Sequence, residues 1–217
     1  MVTGTYKDRT LNIIDTLFQQ LVAVFVLLVL WEVFKNYSLS NVHAWHVILC
    51  TIGIGLCMAE GLLLFNKENS FLKDMDRATR GTVHGGVMCA ACISLTIGIA
   101  LKIDQKVQAS SNHFTSNHSK IGLTAWILIL ISAIIGILTA NIRRCPGLGK
   151  PPLYRIIHLF LGVSAYILGV VALGFGLNYL ESLTGANGKI ALMVFLALYV
   201  AYSLLGPIKS CYNHFFG

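Results

Sequence analysis

The chain has 217 residues, 56% of them hydrophobic and only 12% charged, with a mean hydropathy of +0.73. Soluble domains carry about a quarter charged residues, so this composition excludes an ordinary soluble enzyme and indicates an integral membrane protein. The net charge of +7 is read as basic loops facing anionic lipid or the cytoplasm; no nucleic-acid partner is expected.

The first fifteen residues are polar. The apolar run Thr16–Phe34 that follows lacks a convincing small-residue cleavage site and reads as an anchor that stays in place, not as a signal peptide. Five further runs approach the ~20 residues that cross a bilayer core: Trp45–Phe65, Gly81–Leu101, Ile121–Ala140, Ile156–Leu177 and Ile190–Pro207. The loops between them are short and hold nearly all the charge. The expected fold is all-α: one domain over residues 1–217, a bundle of six transmembrane helices with spans two to five as its core.

With six spans both termini lie on one side. Eleven of the lysines and arginines fall on that side and five on the other, which places the termini in the cytoplasm. The sequons at Asn36 and Asn117 both fall on the opposite face. Four of the six cysteines lie inside apolar runs, which argues against a secreted disulfide framework. Cys89 and Cys92 form a C-x-x-C without a βαβ context or a following histidine, and they read as small buried residues.

Each of the four middle spans has a histidine at or just before its start: His46, His84, His118 and His158. Antiparallel topology sorts them by depth, His46 with His118 and His84 with His158. Ionisable residues in spans face the bundle interior and mark function, and neutral imidazole is a good ligand for haem iron. Two imidazoles from facing helices can clamp one haem, so two layers would hold two. About 13 residues of helix then separate the layers, or roughly 20 Å. Small residues recur on the ligand faces, such as Gly162, Ala165, Gly169, Ala172 and Gly176 after His158, and Gly122, Ala125 and Gly136 after His118. Such stripes also serve plain helix packing. The competing reading is a proton-coupled or metal-ion transporter whose histidines bind its substrate.

The segments "WHVIL", "AEGLLLF", "TVHG", "NHSKIGL" and "YRIIHLFLG", with the four histidines in this order, resemble the cytochrome b561 family of transmembrane ascorbate-dependent reductases, in its short form without appended domains. The resemblance covers about residues 45–177. It implies two non-covalent b-type haems with His46, His84, His118 and His158 as axial ligands. It implies electron transfer from cytosolic ascorbate to monodehydroascorbate or ferric chelates on the lumenal or external side, and it extends to homodimers. An endomembrane, endoplasmic reticulum or vesicle, is preferred to the plasma membrane.

Ascorbate is an anion, so its site should be basic. Arg80 lies four residues before His84, and Lys73, Arg77 and Arg155 flank the same end; a guanidinium there could hold ascorbate or a haem propionate. At the other end His113, Lys106 and Lys120 are candidates for the acceptor site, with Lys102 adding attraction. Glu60, fourteen residues after His46, is placed on nearly the same helix face as a candidate proton partner. His43 reads as a loop residue.

Overall fold

A computed structural model describes residues 6–65, 75–142 and 150–216. The described residues form helices throughout, in the order α1 (Tyr6–Asn36), α2 (Val42–Cys50), a π-helical segment (Thr51–Met58), α3 (Ala59–Leu63), α4 (Arg77–Gln108), α5 (Asn117–Asn141), α6 (Pro151–Ser203) and α7 (Leu205–Phe215). α2, the π segment and α3 run on as one span. Five described helices are long and apolar enough to cross a membrane, the last of them covering Pro151–Tyr212.

The helix starts are written in the sequence. Asn41 accepts a hydrogen bond from the His43 N–H, Asp76 from the Thr79 N–H at 2.7 Å, and Ser116 from the Ser119 N–H at 3.2 Å; each satisfies a donor that the first turn leaves open. α6 begins with Pro151 and Pro152, where the missing N–H costs nothing. The Thr79 N–H also holds the Asp76 carboxyl below the usual carboxylate range.

α6 contains 53 residues but is not one rod. A straight helix would put Tyr166 and Ser203 more than ~50 Å apart, yet their hydroxyls lie 3.0 Å from each other. Glu181 and Lys189 form an ion pair at 2.6 Å. The chain doubles back at Gly185, whose φ of 71° and ψ of 170° suit glycine alone. The expected loop between the last two runs is thus a single-residue break with helix on both sides.

The buried core gathers Val22, Phe25, Val26 and Val29 of α1 against Ile54 and Met58 of the second span and Leu192, Leu196 and Tyr199 of the returning half of α6. Phe18 stacks on Tyr202 at 4.1 Å, and the Tyr202 hydroxyl donates to the buried Asp15 at 2.8 Å. α5 packs along the first half of α6, and α2 along α4. Outward faces carry large apolar side chains, among them Ile93, Ile97, Ile134, Ile137, Ile167 and Leu198, a surface suited to lipid.

Candidate functional site

The four histidines meet in the pairs expected. His46 and His118 have ring centroids 6.1 Å apart with planes at 87°, and His84 and His158 are 6.1 Å apart at 89°. The structure thus brings two imidazoles from different hairpins face to edge at each end of the bundle.

Every ring is held by its Nδ1 atom. His46 bonds the Gly98 carbonyl at 3.0 Å, His84 the Gly61 carbonyl at 2.9 Å, His118 the Ala172 carbonyl at 2.8 Å, and His158 the Ser132 carbonyl at 3.0 Å. A carbonyl oxygen only accepts, so each Nδ1 carries the proton and each Nε2 keeps its lone pair. This hydrogen bond fixes tautomer and ring orientation for metal binding.

The contacts are reciprocal. α4 supplies His84 and receives His46; the second span supplies His46 and receives His84. α5 and α6 do the same with His118 and His158. In α4, α5 and α6 the accepting carbonyl lies fourteen residues after that helix's own histidine; in the second span it lies fifteen after. The π segment Thr51–Met58 absorbs the extra residue, since a π turn is an α-helix with one residue inserted. Glu60, expected on the His46 face, is therefore rotated off it, and Gly61 takes the place. Glu60 is half-buried and within electrostatic reach of Asp15 and Tyr166.

Two glycines make room for imidazole. A Cβ on Gly136 would stand 2.9 Å from His158 Cε1, and one on Gly176 3.3 Å from His118 Cε1. Other members of the small-residue stripes serve packing: a Cβ on Gly53 would meet Leu95 at 2.6 Å, and one on Gly169 would meet Ile54 at 2.6 Å. The stripes thus serve helix packing at Gly53 and Gly169 and the approach of an imidazole at Gly136 and Gly176. Cys89 is exposed and Cys92 half-buried, both free thiols, so the C-x-x-C is not wholly buried.

The donor set fits haem. An iron bound by both Nε2 atoms at about 2 Å would leave the ring centroids roughly 6 Å apart, each about 1 Å behind its nitrogen, close to what is seen at both ends. Among the described residues the ligand-type side chains do not form groups of three or more that could hold a bare metal ion; pairs suit a porphyrin, which brings its own four nitrogens. Between His46 and His118 lies a cavity of about 410 Å³ whose walls are mostly apolar, with Leu95, Leu123, Trp126 and Tyr179 among them, as cofactor sites require.

The remaining candidates are placed unevenly. His113, exposed, and Lys106 line that cavity, with the Lys106 Nζ donating to the Asn112 carbonyl at 2.7 Å. Lys120 is exposed on α5 and does not line it. Arg77 opens α4 and is exposed, Arg80 donates from Nε to the Met75 carbonyl at 3.0 Å, and Arg155 is exposed in the first turn of α6. Lys73 lies outside the described residues. Sequence reasoning missed the four carbonyl acceptors, which the fourteen-residue spacing encodes, and His43, which is in α2 and stacks on His46 with centroids 6.1 Å apart.

Apolar helices carrying two depth-matched imidazole pairs define a helical membrane protein of the cytochrome type. The chain belongs to the eukaryotic cytochrome b561 family, a family of haem proteins, whose model matches residues 45–184. It is similar to the transmembrane reductase CYB561D2 of Mus musculus, 28% identical over 80% of this chain and 78% of the relative, and to that of Bos taurus at 27% over the same shares. The probable transmembrane reductase CYB561D1 of Mus musculus is 27% identical over 80% of this chain and 76% of the relative. These relatives are named as transmembrane reductases, and this chain shares their family and helices long and apolar enough to cross a membrane.

Proposed function

We propose that this protein carries electrons across a membrane through two non-covalent b-type haems, from cytosolic ascorbate to monodehydroascorbate or a ferric chelate on the lumenal or external side. The observation that carries the reading is the pair of bis-imidazole layers in which all four Nδ1–H groups are committed to carbonyls, so that each Nε2 is free to ligate. The whole chain acts as one unit of six crossings, counting the two arms of α6 around Gly185, with both termini cytoplasmic.

Haem bound by both imidazoles would supply a one-electron iron couple with no open axial position. The protein's part is to hold the rings, exclude water and place charge at the two mouths. The carbonyl bonds keep all four imidazoles in one tautomer. The layers are separated by about fourteen residues of helix, or roughly 21 Å between ligand depths. Arg77, Arg80 and Arg155 give the His84/His158 end the positive charge that an anionic donor requires, and Lys73 precedes Arg77 by four residues in sequence. Lys106 and His113 serve the acceptor at the other end, where Lys120 adds charge from the surface of α5. Glu60 and the buried Asp15, within electrostatic reach of each other, are the candidates for taking up the donor's proton.

The test is direct. Purified protein should be red, hold two haems per chain and show a b-type band on reduction. His84→Ala and His158→Ala should each remove the haem at their end while the His46/His118 haem survives. Ascorbate sealed inside proteoliposomes should reduce external ferric chelate. A folded but colourless protein would instead support the transporter reading.

A further inference from the structure

A threonine inside a helix can bond the carbonyl one turn back. Thr16, Thr82, Thr96, Thr124, Thr139 and Thr184 all do so, each donating to the carbonyl four residues earlier. Thr51 is an exception. It opens the π segment and is 0% exposed, and among the described residues its Oγ1 has no hydrogen-bond partner. The buried tyrosines of α6 repeat the contrast. Tyr166 bonds Ser203 and Tyr202 bonds Asp15, whereas the hydroxyl of Tyr199, a residue 1% exposed, has no partner among the described residues.

The two hydroxyls share one seam. Gly55 follows Thr51 by four residues, about one turn along the π segment, and a Cβ placed on it would stand 3.5 Å from the Tyr199 hydroxyl. Its other neighbours, Phe25 and Leu173, would be 3.4 and 3.7 Å away, ordinary contact distances. The seam therefore has room for one further heavy atom beside the tyrosine, unlike Gly53, where a Cβ would meet Leu95 at 2.6 Å. The π segment adds an acceptor, because on returning from five-residue to four-residue hydrogen bonding the ladder passes over one carbonyl.

We propose that Thr51, Tyr199 and the π segment bind an internal water molecule at mid-depth in the bundle. Gly55, which marks the site, lies nine residues after His46 and six before Gly61, between the depths of the two imidazole layers. Two hydroxyls and a carbonyl supply the two to four partners that a buried water takes, and each hydroxyl both donates and accepts. All of these groups are uncharged, which suits water rather than an ion. Without such a ligand both hydroxyls would be buried unpaired, which is costly. The extra residue of the second span thereby gains a second use beside the register of Gly61: it opens the helix ladder to the water. The site uses none of the four histidines, so it stands or falls independently of the electron-transfer reading.

The experiment uses full-length protein in detergent, as wild type, Thr51→Val and Tyr199→Phe. Short X-ray pulses generate hydroxyl radicals from water, and mass spectrometry of the digested protein locates the oxidised side chains. Ordered internal water is split where it sits, so it labels side chains that bulk solvent does not reach. Tyr166 is the internal reference, being the same residue type, equally buried and already paired. In wild type Tyr199 should be oxidised several-fold faster than Tyr166, and Thr51→Val should remove the difference. Equal rates in wild type, or a difference that Thr51→Val leaves untouched, overturn the proposal. Thermal melting gives a second reading. Removing a hydroxyl that is buried without a partner relieves a penalty, so a raised midpoint in Tyr199→Phe also overturns the proposal; a water-bound hydroxyl predicts an unchanged or lowered midpoint.

Discussion

At the scale of single residues, the site is decided by which nitrogen carries a proton and by how close a ring can come. The four histidines were legible in the sequence because each opens a span and antiparallel topology sorts them by depth. Their carbonyl partners were not, because a backbone oxygen has no signature in residue type; Gly61, Gly98, Ser132 and Ala172 share only a spacing. The glycines were half legible, since a small residue on a helix face looks the same whether a leucine or an imidazole will lie on it. Gly136→Ala forces a methyl to 2.9 Å from His158 Cε1, and Gly176→Ala to 3.3 Å from His118 Cε1. Overpacking of this kind costs about 1–3 kcal/mol. Gly136→Ala is expected to lose haem from the His84/His158 end on gel filtration, and Gly176→Ala to lose less from the opposite end. Equal haem retention in both variants would show that the rings have room to spare.

Among the elements, the second span is the irregular one. Its π segment keeps the span in register with the three regular helices despite one additional residue, and it turns Glu60 away from His84. Periodicity reasoning at 3.6 residues per turn put Glu60 on the ligand face because a π insertion cannot be read from apolar residues that would suit either helix. The register argument predicts opposite outcomes for two deletions of similar size. Removing Ile52 leaves Gly61 fourteen residues after His46 and a plain α-helix, so both haems should be retained. Removing Ile127, which is exposed on α5, turns the helix by about 100° and carries Ser132 off His158; haem at that end should be lost. Pyridine-haemochrome assays of the two proteins settle the matter.

For the whole molecule, the apolar runs by themselves imply a helical membrane bundle, because a span must satisfy its own backbone within the helix. The run boundaries were less legible: α4 extends from Arg77 to Gln108, well past the apolar stretch, since polar first and last turns remain helical when capped. The reversal at Gly185 has open space around it, so Gly185→Ala meets no clash and its cost is purely conformational. A destabilisation of about 1–3 kcal/mol is expected for alanine in that backbone region, visible as a lowered thermal midpoint with the haem spectrum of the surviving folded fraction unchanged. An unchanged midpoint would mean that the two arms of α6 are held in place by their packing alone.

The α2–α4 hairpin and the α5–α6 hairpin each own one imidazole of both layers, and each hairpin orients its own rings without help from the other. Neither half can therefore retain a prosthetic group by itself, although each arrives with its imidazoles already aimed. On the two-haem proposal, cofactor insertion would act as a pair of rivets driven across a seam between two prefabricated halves. A chain made in haem-starved cells should part along that seam first, exposing the join to proteases while both hairpins stay intact.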